Sequence, residues 1–196
     1  MTTPTAPRPV AGEAPFLRDI AATAMVLTTA AAIWFSWGAG TAPDPWPIAL
    51  GVACLPAVGF GALAWWVRRR LPPGTIFDTR GKEAGRVSGI AFGLEFVAIA
   101  VGAVVLTLVG LVPLVICWAH LVMGLHWWPL AGLYKIPSLR ASAVAAVIVG
   151  LGGALAWLAA GLSTGLVVGG LGGLTMLVGG LRFLQQVVVL GKRAMK

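Results

Sequence analysis

Charge is what this chain has least of. Only 10% of its 196 residues are Asp, Glu, Lys or Arg, and only six of those are acidic. A soluble domain carries about 25% charged residues. Because 59% of the residues are hydrophobic, a chain of this length cannot cover a folded surface with polar groups, and its solvent is expected to be largely lipid. Cysteine is nearly absent. Cys54 and Cys117 both fall in apolar runs without CxxC spacing, which suits small buried residues rather than a redox pair. No group of His, Cys, Asp or Glu has metal-ligand spacing and no cofactor motif is present, so neither metal nor cofactor is expected. Paired carboxylates, an HExxH sequence and an Asp pair for metal–phosphate chemistry are also missing, and Ser163 is expected near the outer surface, far from His126. These absences argue against an enzyme.

What is present is apolar sequence in runs. A spanning helix needs about 20 mostly apolar residues, and six runs qualify: roughly 19–40, 46–67, 88–110, 113–134, 141–161 and 164–190. Proline marks the breaks, in Thr41–Pro47, in Leu71–Gly74, at Pro113 and at Pro137, because it lacks an amide donor and fixes its own φ. The expected fold is therefore all-α, a polytopic membrane protein of six transmembrane helices. The first run is longer than a cleaved signal sequence usually is and follows a long polar leader, so it is expected to be retained. The Pro/Thr/Ala-rich leader has little to bury, which predicts a disordered tail over 1–18, a helical domain over 19–190 and a basic tail over 191–196.

The net charge of +8 would suggest nucleic acid in a soluble protein, but the basic residues lie at the ends of apolar runs. Nucleic acid is therefore excluded as a partner and the lipid bilayer takes its place. The connections alternate. Arg8 and Arg18 precede the first run; Arg68, Arg69, Arg70, Arg80, Lys82 and Arg86 follow the second; Lys135 and Arg140 follow the fourth; Lys192, Arg193 and Lys196 end the chain. The intervening connections carry only Asp44. The positive-inside rule then predicts that both termini are cytoplasmic, and heavy use of Ala, Gly, Arg and Pro suggests a bacterial inner membrane. Arg68, Arg69 and Arg70 read as a topology anchor, or more sharply as an anionic-lipid patch gaining ~1 kcal/mol per basic residue.

Glycine is abundant in the last two runs. Gly165, Gly169 and Gly173 recur at four-residue spacing. With no preceding strand and no Lys-Ser/Thr end, they do not make a phosphate loop. In lipid this spacing lets helix backbones approach closely. Gly150, Gly153, Ala156 and Ala160 give the fifth run a similar surface, which predicts a tight pairing of the fifth and sixth helices.

Three strongly polar residues interrupt the runs: Glu95, His126 and Arg182. A charge at the bilayer centre costs at least ~2.5–3.5 kcal/mol on insertion scales, so each should face the interior and find a partner. At 1.5 Å per residue all three fall about 10–12 Å from the basic end of their runs. Ala91, Ala98 and Gly102 share a face with Glu95, and Ala119 lies in line with His126. Thr175, Gln185 and Gln186 lie within about 60° of Arg182, opposite Gly169, Gly173 and Gly180. The predicted cluster is Glu95, His126, Arg182, Gln185 and Gln186. Two helix breaks are predicted: Pro129 frees the carbonyl of Leu125 and Pro56 that of Val52, and water, a side chain or a ligand should satisfy them. One of Trp127 and Trp128 should pack beside the imidazole and the other face outward, with Trp37, Trp46, Trp65 and Trp66 as interfacial residues. His120, on the same run and pointing about 120° away from His126, is either a neutral histidine bonded to a carbonyl or hydroxyl, or a relay toward the outer side. Two imidazoles of one helix cannot grip opposite faces of a haem iron.

The stretches RVSGIAFGLEF (Arg86–Phe96) and GLHWWPLAGLY (Gly124–Tyr134) together resemble small uncharacterised polytopic membrane proteins of bacteria. In these a Glu-bearing helix is followed by one carrying Gly-Leu-His-Phe-x-Pro-Leu-Ala. The resemblance covers the third and fourth runs, about a quarter of the chain, and departs at Trp127, where Phe is expected. It implies no activity, only that Glu95, His126 and Pro129 form one local unit.

Two functions remain in view. A structural or accessory protein, or a subunit of a homodimer or larger membrane complex, needs only packing surfaces and a polar network that fixes helix register. A small proton- or ion-coupled permease would use the cluster as a site for a proton, an ion or a small anion.

Overall fold

The computed structural model describes residues 16–194. Arg8, most of the predicted N-terminal tail and Lys196 lie outside the described residues. The fold is all-α: α1 Leu17–Thr41, α2 Trp46–Arg70, α3 Ile76–Leu108, a 3-10 turn at Val112–Leu114, α4 Val115–Leu133, α5 Pro137–Ala160, then a wide π-helical segment Gly165–Gly172 that runs into α6 Gly173–Ala194. Among the described residues, six helices are long and apolar enough to cross a membrane. Residues 191–194 continue α6 rather than forming a separate tail, and Leu17 and Arg18 already belong to α1.

The largest boundary difference is at α3, which starts at Ile76 rather than near Ser88. Hydropathy misses this part because Thr79–Arg86 is polar, but its start is capped twice. The Thr75 amide donates to Asp78 Oδ2 at 2.6 Å within a capping box. The Ile76 amide donates to Asp19 Oδ2 of α1 at 2.7 Å. These bonds satisfy amides that a helix start otherwise leaves unpaired. The backbone departs from helical angles at Arg80 (φ −126°, ψ 33°), separating the capped first turn from the rest of α3. At the same end Arg18 Nε donates to the Leu71 carbonyl at 3.2 Å, tying the α2–α3 connection to α1.

Packing divides the helices into two groups. α1 is the hub of one, flanked by α2, α6 and the π segment; α4 is the hub of the other, flanked by α5 and α3. Small buried residues on α1, notably Ala21, Ala24, Thr28 and Ala31, let its neighbours close in. A β-carbon on Gly169 would overlap the backbone of Gly38, and one on Gly173 would run into the ring of Phe35. The expected close pairing of α5 with α6 is therefore corrected. Gly165, Gly169 and Gly173 of the last run receive α1, while Gly150 of α5 lies against Cys117 and Leu121 of α4; of the predicted α5 glycines only Gly153 meets the last unit, at Val168. Both explanations use the same residues; only the identity of the neighbour differs.

α3 is peripheral and packs chiefly on α4. Its anchor is the Trp118 indole, which lies in the notch at Gly102 and donates from Nε1 to the Ala98 carbonyl at 2.8 Å. The predicted breaks at Pro56 and Pro129 do not occur, since α2 and α4 run through both prolines. Val52 and Leu125, whose carbonyls the prolines leave free, lie on exposed faces of their helices.

Candidate functional site: a cavity beside Glu95 and His126

Glu95 and His126 meet. Glu95 Oε1 lies 3.2 Å from His126 Nδ1, and the two side chains are 10% and 8% exposed. The face of α3 that carries Glu95 also buries Ala84, Ser88 and Ala91, so small residues bring α4 close enough for the imidazole to reach. The approach is off the line of a ring N–H···O bond, which leaves Nδ1 without a hydrogen-bond partner among the described residues. Around the imidazole stand Phe92, with ring centroids 5.3 Å apart, and Trp127 at 6.0 Å. Trp127 is thus the buried indole and Trp128 the exposed one.

The pair lies on the wall of a cavity of about 600 Å³. Its sides come from α1 and α3, which do not close on each other, and α4 contributes His126, Trp127 and Leu130. The wall is mostly apolar. Its charged and titratable groups sit at the basic end, where Asp19, Arg68 and Tyr134 line it, and at Glu95 and His126; Thr23, Thr29 and Thr75 add hydroxyls. A second cavity of about 810 Å³ at the opposite end, beside Trp37, Thr107 and Thr164, has no acidic, basic or histidine side chain on its wall.

Arg182, Gln185 and Gln186 do not join the pair. None of them lines the cavity. Arg182 and Gln185 are exposed, and Gln186 Nε2 instead reaches Ser138 Oγ at 3.4 Å. The reason is the packing partner of α6: with its glycines held on α1, the opposite polar stripe faces outward and away from α3. Arg182 forms no ion pair among the described residues, and a long basic side chain on an outward face can carry its charge toward water along its own stem.

His120 fits neither expectation. It is fully buried, edge-on to Trp34 with centroids 4.4 Å apart and against Gly172, where the two helix groups meet. Neither ring nitrogen has a hydrogen-bond partner among the described residues, and the ring is not on the wall of the Glu95–His126 cavity. No carbonyl or hydroxyl takes its proton, and no shared cavity makes it a relay to His126.

Asp19 was not predicted as a site residue, and Arg68 was predicted only as part of the topology or lipid anchor. Asp19 is 6% exposed, and the available signal was an acid inside the first turn of an apolar run. The Arg68 side chain lines the cavity and buries its Nε without a partner. Arg69 and Arg70 instead stack over Trp65 and Trp66, at 4.8 and 4.2 Å from the ring centroids. The triplet therefore splits into one inward and two outward cations, a division that spacing alone does not reveal.

Comparison with protein-family models, curated proteins and solved structures returned no match.

Chemically, the pair can hold one proton between a carboxyl and an imidazole, or give it up to a positive group arriving from the cavity. A double-mutant cycle tests the pairing. Glu95→Gln and His126→Asn should couple by ~0.5–3 kcal/mol in unfolding measurements in mixed detergent, whereas Glu95→Gln and Arg182→Gln should add to within ~0.5 kcal/mol. Coupling of Glu95 to Arg182 instead would reinstate the three-residue cluster.

Proposed function

We propose that the chain is a multi-pass protein of the cytoplasmic membrane, with both termini inside, that binds a small molecule from the bilayer at a proton-exchanging Glu95–His126 site, as the core of a small permease. One observation carries this reading: the pair borders an open cavity of about 600 Å³ instead of a packed seam. Its volume falls within the range of ligand sites, about 300–1,000 Å³.

The orientation rests on charge. Arg18, Arg68–Arg70, Arg80–Arg86, Lys135 and Arg140 border the connections at one end, and the connections at the other carry only Asp44. This is the positive-inside distribution. In intact cells a membrane-impermeant maleimide should label Asp44→Cys and leave Lys82→Cys unlabelled until the membrane is opened. The reverse pattern would invert the topology.

The site itself is testable with dicyclohexylcarbodiimide, a hydrophobic reagent that forms a stable adduct with a protonated carboxyl. In native membranes it should modify Glu95, and mapping should show the adduct lost in Glu95→Gln. Modification only after denaturation in dodecyl sulfate would show that the pair is sealed, leaving it a structural contact.

A second reading, as a subunit of a homodimer or larger complex, is favoured by α3. Gly81, Gly85, Gly89 and Gly93 recur at four-residue spacing, and a β-carbon at any of them would meet nothing within 4 Å. In the last helical unit Gly165, Gly169 and Gly173, at the same spacing, receive α1. If α3 docks in this way, Gly89→Leu should turn a crosslinkable oligomer into a monomer without loss of thermal stability. A wild-type protein that is already monomeric in lipid nanodiscs would remove this reading.

A further inference from the structure

The chemistry of the cavity wall points to the kind of molecule it takes, and this inference rests on the ligand-site reading above. We infer that the site accepts a hydrophobic organic cation, an aromatic or alkyl ammonium or phosphonium, with its charge at Glu95 and its apolar body between α1 and α3.

Four features support this. First, Glu95 is only half engaged. Oε1 faces His126, and no other donor among the described residues reaches the carboxylate, so one oxygen is free for an incoming positive group. Secondly, aromatic rings line the wall: Phe92, Phe96 and Trp127 near the pair, and Phe77 and Tyr134 further along toward the basic end. Ring faces attract cations whose hydration is weak, and more strongly when water is excluded. Thirdly, the cation expected from sequence to neutralise Glu95 is not there, because Arg182 sits on an outward face of α6. The other charged or titratable groups on the wall are Asp19 on α1, Arg68 on α2, and His126 and Tyr134 on α4. Of these only His126 is within 4 Å of Glu95. Fourthly, the aliphatic positions of the α1 side, such as Val26 and Ile33, are exposed as well as cavity-lining. The opening thus lies along the apolar length of the bundle, and a molecule that partitions into hydrocarbon can enter sideways. An anion of the same shape would meet the carboxylates of Glu95 and Asp19.

The exchange balances in charge. The Glu95–His126 pair holding one shared proton is neutral as a carboxyl and an imidazole. Binding of a monovalent cation leaves a carboxylate facing it, and the proton goes to water. One proton should leave per cation bound.

The test uses the full chain in detergent and three probes of one shape: tetraphenylphosphonium, tetraphenylborate and neutral triphenylphosphine oxide. Equilibrium dialysis should show saturable tetraphenylphosphonium binding, at least ~10-fold tighter than either of the others. Glu95→Gln should weaken it by at least ~10-fold and Glu95→Asp by less. Phe96→Ala, at an exposed position that the fold tolerates, should weaken it by ~3- to 10-fold. Arg182→Gln should leave it unchanged, and a weakly buffered solution should acidify by one proton per cation.

Equal or tighter binding of tetraphenylborate or the neutral oxide would overturn the inference. So would tetraphenylphosphonium affinity that survives both Glu95→Gln and Phe96→Ala, or a phospholipid that copurifies in the cavity and is not displaced. The carbodiimide reaction separates the two levels. Protection of Glu95 by the neutral oxide but not by tetraphenylphosphonium removes the cation and keeps the ligand site. A Glu95 that never reacts in the folded protein removes both.

Discussion

The arrangement depends on one close approach: the backbone of Gly38 on α1 against that of Gly169 in the π segment. Helices surrounded by hydrocarbon gain nothing from hiding apolar surface from one another, so association rests on how tightly their surfaces fit and on what they hydrogen-bond. Glycine facing glycine gives the shortest such approach. It holds the last helical unit on α1, and from there Gly172 supports His120 and Trp34. The two helix groups meet there, and again where Gly153 lies against Val168. Between the bodies of α1 and α3 they are not joined, and the cavity opens there.

The same contact decides the fate of the polar residues. With its glycine face committed to α1, α6 turns Arg182 outward. α3, hung on α4 by Trp118 and Gly102, turns Glu95 inward to His126 without a permanent basic residue beside it. A carboxyl left beside an imidazole, among aromatic rings and next to open space, is a different chemical object from a carboxylate locked in an arginine pair. The former can exchange a proton or a ligand; the latter is a structural ion pair.

The basic end is built on a separate logic. Asp19 reaches from α1 to cap the amide of Ile76, and Arg18 holds the carbonyl of Leu71. Together they pull the start of α3 onto α1 while the body of α3 leans on α4. The helix therefore spans the gap at one end and leaves it open further in, which gives the cavity a polar closed end and an opening along its apolar length.

Much of this was legible in residue order. Six runs of about the length that crosses hydrocarbon, proline between them and basic residues at alternate connections are properties of the chain itself, and they follow from transfer cost and backbone chemistry without reference to neighbours. Even the meeting of Glu95 and His126 could be anticipated, because both lie at one depth on adjacent runs and small residues mark the face of Glu95. The start of α3 was not legible: its caps use Asp19, far away in sequence, and its first turns are polar. Nor could the chain say which helix each glycine face would receive, because a small surface is equally complementary to any other small surface. Depth along a helix is set by sequence, but rotation and neighbour are set by packing. Packing alone put Arg182 outside, left His120 without a hydrogen-bond partner among the described residues and placed an opening beside the acid.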